Sequence, residues 1–418
     1  MNKEEYIHSL SNVKLVIGNG FDLHCFLHTS YKDFFDFNYK KYNLIHDAYS
    51  YYEETDDFKM EKQLFDSVSV WDIFFEFNSR RGYSPANRLW CDIEKLMLCS
   101  FVDEPSSDSS ADEVANYITS SIHWNIIEKH IIKNSLAQNH ADRFVVKFIN
   151  RKMEQMGLYP KDFYLFLLDE LKQFEVNFGE FIYKQQHETW FERCNPGQMF
   201  LNKPFLIMAV ETIEELCNKD NLVSIDTFNY GDIYVDSLLS KMRHINGNVT
   251  SPIFGIDTIF APTDKRFIFT KTARRMESDF YDVEYREEPQ FENVIIYGHS
   301  LDKSDYSYFF PLFDKLNLLD PNAKGVVVFA YSVYDKKIES KIIKRASQSI
   351  SKILYEYAVD KHVNNPSRLL DNLKSNRRFF VTEIPCLDRK LYGATLVDQD
   401  WEKLQKDIEM HQKVTSES

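Results

Sequence analysis

The chain has 418 residues, of which 44% are apolar and 27% charged, the balance of a globular protein of about two to three domains and not of a disordered or membrane-embedded one. Its 50 Lys and Arg against 64 Asp and Glu leave a net charge of -14, which repels long polyanions and argues against bulk nucleic-acid binding. The six cysteines include no C-x-x-C pair, so a reduced compartment and no structural zinc framework are expected. Glu4 and Glu5 precede a run broken by Ser and Asn, so no secretion signal is expected, and no run approaches the ~20 apolar residues that span a bilayer. These features predict a cytoplasmic protein without membrane contact.

In chain order, a short β-branched run at 13–17 predicts the first buried strand. Similar runs at 222–228, 293–297, 325–331 and 378–384 predict others, with short ones near His244 and at 253–255. Helical patterns at 305–318 and 336–357 follow two of them, so the alternation predicts an α/β fold with a Rossmann-like, mostly parallel sheet. Strand-like runs are nearly absent between about 40 and 220, which reads as a large helical insertion. Within it Phe163, Leu167, Leu171, Phe174, Phe178 and Phe181 fall three or four apart and predict one buried helical face. The acidic, Ser-rich stretch 103–113 reads as a loop, and the strip Lys336, Lys337, Lys341, Lys344, Arg345 and Lys352 as a solvated basic face. The expected domains are a discontinuous Rossmann-like nucleotide-binding domain (1–39 and 221–385), the helical insertion (40–220) and a C-terminal tail (386–418).

The first strand runs into Gly18-Asn19-Gly20-Phe21-Asp22, the place where a Rossmann-type sheet brings its backbone close to a ligand phosphate. The third glycine of G-x-G-x-x-G is missing, so an ordinary tight turn explains the spacing equally well. Thr29 and Ser30 precede a helical pattern and read as N-cap candidates whose hydroxyls can also face a ribose or phosphate. Asn229 closes a predicted strand, at the rim where ligands sit in open α/β sheets, with an amide that both donates and accepts. Gly298, His299, Ser300 and Asp302 follow another strand; Gly298 permits close approach, Ser300 and Asp302 can bond ribose hydroxyls, and Asp305 is expected to cap the next helix. Asp92 and Glu94, two apart on a helix, point away from each other and make a poor carboxylate pair.

The run GNGFDLHCFLHTSYKDFF, from Gly18 to Phe35, resembles the opening motif of the bacteriophage abortive-infection AbiH family. LWCDIE, TFNYGD, HINGN, FGID, FTKTARRM and IYGHSLDKSDYSYF are similar, in order, to that family's later motifs, so the resemblance covers most of the chain between 13 and 331. The Gly turn, the Asn after a strand and the later Gly-His-Ser are also similar to the layout of sirtuin-like NAD-binding domains. That likeness implies that Gly18 and Gly20 hold a pyrophosphate, Asn229 sits near the nicotinamide ribose, a His acts as base, and Gly298 with Ser300 meets the adenosine ribose. The chain departs from the family's His-x-His-Gly pattern, since Asn246 follows His244 where the second His stands; a base at that position is lost, or its task moves to His244 or His299.

The leading expectation is an antiphage abortive-infection effector that binds and hydrolyses NAD or a related nucleotide. Asn229, His299, His244 and Asp22 are its catalytic candidates, and Gly18, Asn19, Gly20, Phe21, Asp22, Thr29, Ser30, Asn229, Gly298, Ser300 and Asp302 its nucleotide contacts. A phage-derived trigger and a homo-oligomer belong to the same reading, and no metal is expected. One alternative is a metal-dependent nuclease using Asp22, Asp232 and Asp302, weakly supported by His24 and His28 as an H-x-x-x-H on one helix face and by Asp398 with Asp400. The other is a nucleotide-sensing protein that binds without turnover.

Overall fold

The computed structural model describes residues 2–25, 27–80, 91–103, 120, 122–135, 137, 139–187, 203–233, 235–256, 260–279, 289–333 and 336–385. The tail 386–418 with Asp398 and Asp400, Trp90, and all but the first residue of the acidic stretch 103–113 lie outside the described residues. The chain divides into two units, one of Met1–Thr29, Ile182–Val249 and Phe280–Ser418, the other of Ser30–Phe181 and Thr250–Asp279.

The first unit carries the sheet. Its strands are β1 (Val13–Ile17), β2 (Leu222–Thr227), β3 (Met242–His244), the two-residue β4 (Gly247–Asn248), β6 (Asn293–Tyr297), β7 (Val327–Tyr331) and β8 (Phe379–Glu383), while β5 (Ser251–Pro252) falls in the other unit. Six of them form one sheet in the order β3-β2-β1-β6-β7-β8, with every neighbouring pair parallel. This is the doubly wound order, which reverses between β1 and β6, and a ligand crevice belongs outside the carboxyl ends of those strands. Ile17 pairs with both Thr227 and Tyr297, so β2, β1 and β6 end level and their following loops emerge side by side.

Every residue of β1 and β6 is buried, which explains why they read as continuous apolar runs. On one face Leu15, Ile17, Ile225 and Ile295 share a core with Phe205, Met208, Ala209 and Ile213 of the helix Lys203–Leu216. On the other, Val16, Val294 and Ile296 share a core with Phe309 and Phe313 of the helix Tyr306–Lys315 and with Ile353, Leu354 and Tyr357 of Glu339–Asp360. A charge cluster is built into the sheet: Asp226 meets Lys14 Nζ at 3.1 Å, accepts the Arg243 fork at 3.1 and 2.6 Å, and accepts from Tyr308 Oη at 2.6 Å. Four donors around one carboxylate satisfy a charge that would otherwise be costly to bury. The residues 253–255, expected as a short strand, are not one.

The helical unit is held by rings. Phe34 packs edge-on against Phe174, Phe178 and Phe181, and Trp71 meets Phe74, Trp124 and Phe101. The stripe of the helix Phe163–His187 is buried throughout, as its three-and-four spacing predicts. Buried ion pairs join Arg274 to Glu175 at 2.8 Å and Lys271 to Glu94 at 2.8 Å, so Glu94 is a structural partner.

Candidate functional site

Of the three loops at the level ends of β2, β1 and β6, those after β1 and β6 meet through glycine. Gly298 has φ +69, and a Cβ there would fall 2.4 Å from the Phe21 amide nitrogen; a Cβ on Gly20 would fall 2.7 Å from Gly298 Cα. Only hydrogen fits between these backbones, and the left-handed φ adds a second reason at Gly298. The amides of Gly18, Gly20 and Phe21 donate to Tyr297 O (3.0 Å), Gly298 O (2.7 Å) and Gly18 O (2.8 Å). The glycine pattern thus accounts for loop-to-loop contact, and these three amides are engaged within the protein.

Beside that contact, the short helix Asn19–His24 carries Asp22 against Asn229. The Asn229 amide donates to Asp22 Oδ1 at 2.7 Å and to Gly18 O at 3.2 Å, while its Oδ1 is buried with no hydrogen-bond partner among the described residues. Thr29 Oγ1 lies 2.7 Å from Asn19 Oδ1 and 3.2 Å from Asp22 Oδ2. One hydroxyl proton cannot serve both oxygens. If it goes to the nearer, the contact with Asp22 needs a proton on the carboxyl, and Asp22 then donates to Thr29. Burial pushes Asp22 up to about 7, against the downward pull of Thr29, Asn229 and His244. Asp22 is therefore poised to hold or release a proton near neutral pH.

His244, at the end of β3, faces acceptors on both sides: Nδ1 is 2.9 Å from Asn229 O and Nε2 is 2.8 Å from Asp232 Oδ1. It fastens the Asn229 loop to Asp232. Gln186 supports the same loop by donating to Asp232 O at 2.9 Å, in the space that a side chain at Gly231 would fill. Asn246 is buried.

His299 packs its ring edge-on at 4.3 Å from Phe228, accepts from the Leu301 amide at Nδ1 (2.9 Å) and places Nε2 3.5 Å from Asp305. Both of its nitrogens have partners. Asp305, expected to cap the next helix, makes no capping hydrogen bond, because it is turned toward His299; Asp302 accepts from the Ser304 amide at 3.3 Å instead. Ser300 is exposed. Ser30 belongs to the helical unit, where it caps the helix Tyr31–Phe37 in a reciprocal capping box with Asp33.

The structure thus gathers Gly18, Asn19, Gly20, Phe21, Asp22, Thr29, Asn229, His244, Gly298 and His299 around one group of loop ends. Sequence reasoning missed Gln186 and the supporting role of Asp232; the distance of Gln186 in sequence from TFNYGD left no signal to connect them. His24 and His28 do not share a helix face, because the helix ends at His24. Among the described residues no group of three or more His, Cys, Asp or Glu is placed to hold a metal ion. No helix of the described residues is long and apolar enough to cross a membrane.

The sequence pattern of the family described as bacteriophage abortive infection AbiH matches residues 15–329, more than half of the chain. No curated protein and no solved structure matches.

Proposed function

The chain belongs to the bacteriophage abortive infection AbiH family, which gives it an antiphage role, and from that premise we propose that it binds NAD or a related dinucleotide at the ends of β1, β2 and β6 and hydrolyses the nicotinamide–ribose bond once infection supplies a trigger. The observation that carries this reading is the meeting of Asp22 and Asn229, which lie 207 positions apart in the chain and leave one buried acceptor, Asn229 Oδ1, without a donor among the described residues. A buried acceptor without a partner costs about 1–3 kcal/mol, and a ligand hydroxyl removes that cost.

In this reading Asn229 orients a ribose hydroxyl, and the glycine contact fixes the loops that present it. The reaction adds water at the ribose carbon and releases nicotinamide, so one proton must leave the water. Asp22, whose carboxyl is pushed up to about 7 by burial, accepts it in its ionised form and returns it to solvent afterwards. His244 and Asp232 act as positioning residues that hold the Asn229 loop. Incubating the purified protein with NAD and infected-cell extract, and following free nicotinamide, tests the proposal. Release that falls at least tenfold in Asn229→Ala supports it, and no release in the wild-type protein overturns the enzymatic part.

One observation favours binding without turnover: His244 and His299, the two histidines to which the base's task could move, each have both ring nitrogens engaged. Calorimetric binding of NAD without nicotinamide release would select that reading.

A further inference from the structure

Asp22 and His24 are two residues apart on the helix Asn19–His24, so they project about 200° from each other. Asp22 faces Asn229 after β2, and His24 faces the other side, where β6 and β7 end. There Tyr297, the last residue of β6, donates its hydroxyl to Ser332 Oγ at 3.1 Å, and Ser332, just after β7, lies 3.4 Å from His24 Nδ1. The His24 ring stands edge-on to Tyr297, with centroids 5.7 Å apart. Burial disfavours the charged imidazole and pulls its pKa below the usual value. With Tyr297 supplying the Ser332 oxygen, the Ser332 proton points to Nδ1 and the ring proton sits on Nε2.

His24 is only 6% exposed, and Nε2 is buried with no hydrogen-bond partner among the described residues. Buried polar atoms of the sheet unit without a partner among the described residues thus include one on each side of the strand-order reversal: an acceptor, Asn229 Oδ1, on the β2 side and a donor, His24 Nε2, on the β7 side. A dinucleotide laid across such a reversal places one nucleotide on each side.

Building on the dinucleotide reading above, we propose that His24, Tyr297 and Ser332 form a second half-site, which takes a ribose hydroxyl of the nucleotide opposite the one held by Asn229. An uncharged oxygen suits the site, since its three groups present one neutral N–H donor and no cation. The hydroxyl oxygen accepts from Nε2, while Ser332, held by Tyr297 on the Nδ1 side of the ring, acts as a positioning residue that fixes the tautomer presenting that proton.

The test is calorimetric titration of the full chain with NAD, adenosine monophosphate and nicotinamide mononucleotide, using the wild-type protein, His24→Phe, Ser332→Ala and Asn229→Ala. His24→Phe and Ser332→Ala are each expected to weaken NAD about fivefold to tenfold and to weaken one mononucleotide, while Asn229→Ala weakens NAD and the other mononucleotide. If His24→Phe fails to fold, Ser332→Ala carries the same reading. Unchanged affinity in these variants, or loss of the same mononucleotide in all three, overturns the half-site while leaving the dinucleotide reading intact. If the wild-type protein binds none of the three probes, the dinucleotide reading fails and the half-site falls with it.

Discussion

Asp22→Asn isolates the proton that the site holds. Burial raises the carboxyl from 3.8 to about 7, so the folded chain holds this proton more tightly than the unfolded chain does. The stability that goes with the neutral carboxyl is fully present below the unfolded value and is lost as the pH rises through about 7. At 1.36 kcal/mol for each pH unit within that window, moving from about pH 5 to about pH 8 costs the wild-type protein about 2.5 kcal/mol. Asn cannot ionise, yet its amide keeps the local chain: Oδ1 accepts from Asn229 and Nδ2 points to Thr29 Oγ1. The stability advantage of Asp22→Asn over wild type is therefore expected to grow by about 2.5 kcal/mol across that range. Urea unfolding of both proteins at constant ionic strength measures it, and comparing the change with pH cancels any fixed packing difference. A gap that stays constant, or one that shrinks as the pH rises, would refute the buried neutral carboxyl.

Gly298→Ala places a Cβ 2.4 Å from the Phe21 amide nitrogen at a left-handed φ, so it is expected to destabilise the sheet unit by about 3 kcal/mol or more, read as a lowered unfolding midpoint. Arg274→Met leaves Glu175 buried without its 2.8 Å partner and is expected to cost about 3–5 kcal/mol; an unchanged denaturation curve would contradict a structural ion pair. If Asp22 accepts the proton from water, nicotinamide release is expected to rise as the pH increases through about 7 and to lose that dependence in Asp22→Asn.

The strands were legible because parallel strands buried on both faces need uninterrupted apolar runs, and 13–17 and 293–297 supply them. The site's location was legible for the same reason, since Gly18, Asn229 and Gly298 each follow the end of such a run. What each residue does there was not. The glycines signalled close approach, but the approaching group is another loop's backbone, which spacing cannot distinguish from a phosphate. His299 stood in the densest polar run, yet Phe228 and Phe309 enclose it through contacts that exist only after folding. The titration of Asp22 depends on burial by segments more than 200 positions away, and the His24–Ser332 contact spans 308 positions. Short-range pattern carries no trace of either.

The most direct measurement is a crystal structure of the protein soaked with NAD or a non-hydrolysable analogue. Density for the nucleotide is expected across the ends of β1 and β6, with a ribose hydroxyl donating to Asn229 Oδ1. Nucleotide bound elsewhere, or a soaked crystal in which Asn229 Oδ1 gains no partner, would contradict it.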